Sequence, residues 1–323
     1  MAAPAARPTR MTPNTLTPHT MRGLRFRTHP GAALLHAPKT HLLNGQLDCT
    51  GSIGLRRHNP IATRAIRWHM RIAQSDNVPA MPKIITVAAA KGGVGKTRLA
   101  LEIANLLDAP LIDLDWDAGG ATRLWGYRHE THVRSPLLDA LESGKPPTLL
   151  PGHSRRPDLL PGHPDFATRQ PEAEQMAALL EKWAAGWGRP YVVVDTHPGA
   201  AHAGHGAMLA ASVVVMPAVL ATAELNALEG ALIELADYPL LLVPNRVPRT
   251  IPGPELRRLR RLVEVAKVPV GPVVPYCRPL ETRKRRAAVT AEDPTPANTR
   301  DFAAALRDVA DAVRSYVVAV DAA

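Results

Sequence analysis

The sequence predicts an α/β fold, a mostly parallel twisted sheet flanked by helices, and three observations point to it. From residue 83 onward, short apolar runs alternate with stretches of helical period, the pattern of stacked βαβ units. The first run, KIITV, passes through a glycine-rich turn directly into a helical period. Two later runs, LIDLD and YVVVD, end in aspartates, which places carboxylates at the carboxyl edge of the sheet, where open α/β sheets bind ligands.

Taken in order, strands are predicted over 83–89, 110–115, 158–161, 191–196, 212–218, 240–245 and 270–275. Each is a short, near-continuous apolar run, as expected of parallel strands covered on both faces. Helices are predicted over 97–107, 136–142, 172–187, 222–236, 254–266 and 298–317. In the first of them Leu99, Ile103, Leu106 and Leu107 recur on one face. Nothing in the composition divides residues 81–323, so one domain is expected there.

Residues 1–80 read differently. They carry 11 Lys/Arg against 2 Asp/Glu, so nearly all of the formal net charge of +10 sits in them, while the rest of the chain is close to balanced. Rich in Pro, His, Thr and Arg and without apolar period, this basic extension is expected to be largely disordered. Three readings compete for it, a basic arm that grips nucleic acid, a leader of no function, or sequence upstream of the real initiator, and the third is favoured because Met81-Pro-Lys-Ile-Ile-Thr-Val enters the first strand directly. No stretch approaches the roughly 18 apolar residues of a membrane span. Cys49 and Cys277 have no partner at disulfide or metal spacing, which points to a reducing, cytoplasmic setting.

The turn Ala90-Lys91-Gly92-Gly93-Val94-Gly95-Lys96-Thr97 has the layout of a loop that wraps a nucleotide's phosphates with backbone N–H groups. Lys96 suits the β- and γ-phosphates, the Thr97 hydroxyl suits Mg²⁺, and the following helix adds the positive end of its dipole. Ala90 stands where that template has its first glycine, a mild change because the residue is small. The template has no use for Lys91.

Lys-Gly-Gly-Val-Gly-Lys-Thr at 91–97 resembles the deviant Walker A motif of the ParA/MinD ATPases, and the resemblance extends from residue 82 to about 317. It implies a P-loop NTPase fold with ATP and Mg²⁺ as cofactors, and a homodimer in the ATP state in which Lys91 reaches the partner's nucleotide. Lys91, Lys96 and Asp115 are then the catalytic set, with Asp115 orienting the attacking water. Gly92, Gly93, Val94, Gly95, Lys96, Thr97 and Arg98 would line the phosphates, although an arginine at 98 departs from the family's Thr or Ser. Asp195 resembles the Walker B carboxylate and would join Thr97 at the magnesium, through water. Asn245, in LLLVPNRV, resembles the adenine contact, with Pro275 packing nearby; an Asn side chain offers both donor and acceptor to a base edge. Two departures stand out: Trp116-Asp117 replaces Pro-Gln, and His197 replaces Pro. His197, His202 and His205 match no standard zinc spacing.

Two basic clusters, Arg257/Arg258/Arg260/Arg261 and Arg283/Lys284/Arg285/Arg286, interrupt the balanced domain. In ParA-type proteins, basic residues in this part of the chain form a nonspecific DNA surface. The resemblance thus implies a cytoplasmic, nucleoid-associated ATPase that segregates plasmid or chromosome copies and is stimulated by a ParB-like centromere-binding protein. Two rivals share the fold. A MinD-like or other cargo-positioning ATPase would act on a membrane or a protein cargo, but a membrane-binding form should end in a basic amphipathic tail, whereas this sequence ends RSYVVAVDAA. Iron–sulfur relatives need cluster cysteines that Cys277 alone does not supply.

Overall fold

The computed structural model describes residues 81–117, 120–131, 135–199, 201–283 and 287–321; the expectations for residues 1–80 and for Lys284, Arg285 and Arg286 lie outside them. Six strands, β1 (Lys83–Val87), β2 (Leu111–Asp113), β3 (Leu159–Leu160), β4 (Tyr191–Asp195), β5 (Val213–Ala218) and β6 (Leu240–Pro244), form one sheet in the order β3-β2-β4-β1-β5-β6. All pairings are parallel. The register aligns Val87 and Asp113 with Asp195, so the last residues of β1, β2 and β4 share one level at the carboxyl edge.

Among the described residues, eight α-helices accompany the strands: α1 (Lys96–Leu106), α2 (Ala121–Trp125), α3 (Pro136–Ser143), α4 (Ala173–Trp187), α5 (His202–Leu209), α6 (Thr222–Glu234), α7 (Gly253–Ala266) and α8 (Arg300–Asp321). Strand alternation sorts the core. Ile85, Val87 and Val193 face α1 and α8, where Leu99, Ile103, Phe302, Leu306 and Val313 are buried. Ile84, Val192 and Val194 face the opposite way, onto Met176, Leu180 and Trp183 of α4 and Ala203 and Ala207 of α5. Met216 and Leu242 pack with Leu225, Leu228 and Leu259 from α6 and α7. Thr86, the polar member of β1, is buried and donates its hydroxyl to the Ala207 carbonyl at 2.7 Å. No helix among the described residues is long and apolar enough to cross a membrane.

The expected seventh strand is reduced to two bridges, Leu242 to Val270 and Val247 to Pro275. The reason is local: Pro269, Pro272 and Pro275 have no N–H to give a ladder, so residues 270–275 touch the sheet edge without continuing it. Helices α2 and α5 were not legible in the sequence. The first has five residues, and the second contains Gly204 and Gly206, poor helix formers. Gly206 is there for contact, since a Cβ at this position would lie 2.5 Å from the Ala173 carbonyl and 2.6 Å from the Met176 Cβ. It lets α5 press onto α4.

One charged side chain ties the C-terminal segment to α1. Glu102 is fully buried and accepts from the N–H groups of Val289 (2.8 Å) and Thr290 (3.0 Å) and from the Thr290 hydroxyl (2.8 Å), with Arg98 3.5 Å away. Truncation would leave three donors without their acceptor. Glu102→Ala should therefore lower the unfolding free energy by about 3 kcal/mol or more in urea titration, with Glu102→Gln costing less because it keeps an acceptor oxygen.

Candidate functional site

The glycine loop joins β1 to α1 and is shaped by Gly93 (φ 80°) and Gly95 (φ 94°), both in the left-handed region that favours glycine. No side chain caps the first turn of α1, so its N–H groups are left to whatever the loop encloses. The far side of the loop is fastened by the end of β6: the Asn245 amide donates to the Val94 carbonyl at 2.8 Å, and the Arg246 guanidinium donates to the Gly93 carbonyl at 2.6 Å. Gly95 allows this approach, because a Cβ there would sit 2.5 Å from Asn245 Nδ2. Its near side is fastened to the segment after β4, where Thr196 bonds the Val87 carbonyl through its hydroxyl (3.0 Å) and the Gly199 N–H donates to Ala89 O at 3.1 Å.

Three aspartates and Lys96 meet in front of the loop. Lys96 is buried, 5% exposed. Asp195 is fully buried, and neither of its carboxylate oxygens has a hydrogen-bond partner among the described residues. Burial pushes its pKa well above the usual carboxylate range and repulsion from Asp113 adds to this, while Lys96 and Thr97 pull it down. Asp113, its register partner, is also buried; desolvation raises it to about 6 against hydrogen bonds from the Thr122 N–H (2.6 Å) and the Asp115 N–H (3.0 Å). Asp115 is half-buried and raised by burial, with His197 and Lys96 opposing. A buried carboxylate with both oxygens orphaned, beside a threonine hydroxyl, fits a hard cation that takes oxygen ligands, such as Mg²⁺.

The remaining sequence-predicted residues are distributed as follows. Lys91 does not join Lys96: it lies at the surface, with its ammonium 3.0 Å from Glu224 at the start of α6. Arg98 is directed along α1 to Glu102 rather than set against the loop, and burial lowers its pKa. Asn245, 4% exposed, has its amide committed to the loop. Pro275 sits opposite Val247, two residues beyond Asn245. On α7, Arg257, Arg260 and Arg261 are exposed and Arg258 is paired with Glu229 at 2.6 Å. Arg283 is not on the surface with them; it is turned inward, 12% exposed, in an ion pair with Glu292 at 2.9 Å. His197, His202 and His205 go to separate partners, Asp117, Glu172 and Glu234.

No family model and no curated protein matches this sequence. Solved structures do match. MinD complexed with Mg-ADP from Pyrococcus horikoshii superposes with a TM-score of 0.53 at 19% identity, over 72% of this chain and 96% of that one. A McdA variant in complex with ATP from Cyanothece gives 0.58 at 16% identity, over 74% and 98%. A plasmid partition protein from Borrelia burgdorferi bound to AMPPNP gives 0.53 at 21% identity, over 72% and 99%. The chain has the ParA/MinD fold.

Within the ParA/MinD fold, sequence reasoning missed Arg246, which clamps the loop and stood beside Asn245 in the quoted motif. It also left Glu224 and the burial of Asp113 unassigned, because neither a partner across 133 positions nor a strand's neighbour can be read from a linear pattern. A pH effect follows from Asp113. A carboxyl raised in the folded state stabilises the fold only while protonated, so its contribution is lost as pH rises from the unfolded pKa near 4 through about 6. Between pH 4 and pH 7 the stability of Asp113→Asn relative to the parent should rise by up to about 3 kcal/mol, measured by urea unfolding without nucleotide.

Proposed function

We propose that the chain is an ATPase that dimerises in the ATP state, binds DNA without sequence preference and segregates plasmid or chromosome copies, with hydrolysis stimulated by a ParB-like centromere-binding protein. The observation that supports it best is the different placement of the two loop lysines: Lys96 is buried facing Asp195 and Asp115, while Lys91 is exposed on Glu224. A lysine that leaves its own loop for the surface is available to a second subunit.

Lys96 and the N–H groups of Gly92, Gly93, Val94, Gly95 and Thr97 bind the phosphates of ATP, and the helix dipole adds to their attraction. Thr97 and, through water, Asp195 would hold Mg²⁺, which when bound would supply positive charge against the phosphates. Asp115 orients the attacking water, and Asn245 and Pro275 receive the base. Lys91 exchanges Glu224 for the partner's phosphates, which makes the dimer depend on the γ-phosphate. The exposed arginines of α7 supply the DNA surface, which needs only phosphate neutralisation. ATP in the McdA variant and AMPPNP in the Borrelia partition protein support the nucleotide assignment. The protein works in the cytoplasm, on the nucleoid while ATP is bound, with no membrane step.

The test is binding of the full chain to random-sequence duplex DNA with AMPPNP and with ADP across a salt series. Binding should require AMPPNP, with log K falling linearly in log salt by about 0.9 per phosphate contact. Arg257→Ala/Arg261→Ala should reduce that slope by about 2. No binding in either nucleotide contradicts the DNA role, equal binding in ADP contradicts its dependence on the ATP state, and an unchanged slope removes Arg257 and Arg261 from the surface.

A further inference from the structure

Two loops carry the residues nearest the proposed water site: residues 115–117 leave β2, and residues 196–199 leave β4. The strands are neighbours, and Asp113 and Asp195 at their ends are both buried carboxylates that repel each other. Contacts between His197, Trp116 and Asp117 hold them together. The imidazole lies flat on the Trp116 indole, with centroids 3.8 Å apart and planes 7° apart. His197 Nε2 donates to Asp117 Oδ2 at 3.2 Å, the only sense open to a carboxylate partner.

Each end of this bridge is anchored. Trp116 also meets Phe166 edge-on, at 6.3 Å and 63°, and Phe166 is fully buried in the core. The loop of His197 is fixed by Thr196 to the end of β1 at the Val87 carbonyl and by Gly199 to the entry of the glycine loop at the Ala89 carbonyl. From Asp117 the chain of contacts reaches Asp115, whose Oδ1 accepts the Asp117 N–H at 3.0 Å. The orientation of the Asp115 carboxyl is thus set by the backbone of Asp117, whose side chain is held by His197, whose loop is held by the phosphate-binding loop.

We infer that His197 is a positioning residue for hydrolysis: by stacking on Trp116 and bonding Asp117, it fixes the Asp115 carboxylate relative to the nucleotide loop. This rests on the ATPase reading above. A proline at 197 would supply neither the donor nor the flat ring that spans these loops. Asp115, Asp117 and His197 bring ligand atoms within 4.8 Å of one another, but Asp115 Oδ1 and Asp117 Oδ2 are already used in the contacts described. The trio acts as a brace.

The experiment combines steady-state ATP hydrolysis, binding of a fluorescent ATP analogue and Trp116 emission, the last isolated by subtracting the Trp116→Phe spectrum in each background. His197→Ala should lower kcat about 10- to 100-fold with KM and analogue affinity within about twofold, since misplacing a positioned group by about 1 Å has effects of this size. His197→Gln, which keeps a donor, should recover part of the loss. His197→Ala/Asp117→Ala should be no slower than His197→Ala, because both remove one linkage. Trp116 emission should change in His197→Ala even without nucleotide.

Unchanged Trp116 emission in His197→Ala would show that the brace does not exist in solution. Changed emission with unaltered kcat, or a kcat loss matched by lost analogue binding, would overturn the positioning role while leaving the ATPase reading intact. A parent protein that neither binds the analogue nor turns over ATP overturns that reading and this inference together, and this is evident before any substitution is made.

Discussion

Two neighbouring parallel strands end in Asp113 and Asp195 at the same register level, both fully buried, and the rest of the site is arranged around that pair. Carboxylates so placed repel and are poorly solvated, which is why both are raised in pKa. Asp113 is satisfied locally by the N–H groups of Thr122 and Asp115. Asp195 is not, and its orphaned oxygens, with Lys96 and Thr97 opposite, create a demand for positive charge that the chain alone does not meet. Ligand binding to the folded state is thereby coupled to stability.

That constraint explains why the loops around it are tied down so heavily. Asn245 and Arg246 from β6 grip one side of the glycine loop, and Thr196 and Gly199 grip the other. These contacts preorganise the backbone of the glycine loop, so little ordering would remain to oppose a ligand there. Lys91 is treated differently. Its exposed pair with Glu224 is of the kind that contributes little net stability, which makes it easy to give up for another anion. One short loop thus carries a buried, fixed lysine and a loosely held surface lysine.

The chemistry-bearing motifs were legible in the sequence because each is a short local pattern. The glycine turn before α1 and the strand carrying Asp195 lie where periodicity and turn residues placed them, while the strand expected over 110–115 stops at Asp113. Non-local facts were not legible. The strand order, the burial of Glu102 and the inward turn of Arg283 depend on residues distant in sequence. Arg98 and Arg283 read as site or surface cations in a linear pattern, yet each has a buried or partly buried carboxylate waiting for it, Glu102 and Glu292. The segment 270–275 misled in the opposite direction, since its apolar residues suggested a strand that its prolines prevent. His197 and Trp116 were visible only as departures from a family pattern; their contact gives those departures a physical sense.

The central claim is that Lys91 makes self-association depend on the γ-phosphate. Sedimentation equilibrium of the full chain with Mg²⁺ and either AMPPNP or ADP, for the parent and for Lys91→Ala, tests it directly. The account predicts a dimer mass only for the parent with AMPPNP, and a monomer in the other three samples. A parent that stays monomeric with AMPPNP, a dimer that forms equally in ADP, or a Lys91→Ala protein that dimerises like the parent would contradict it.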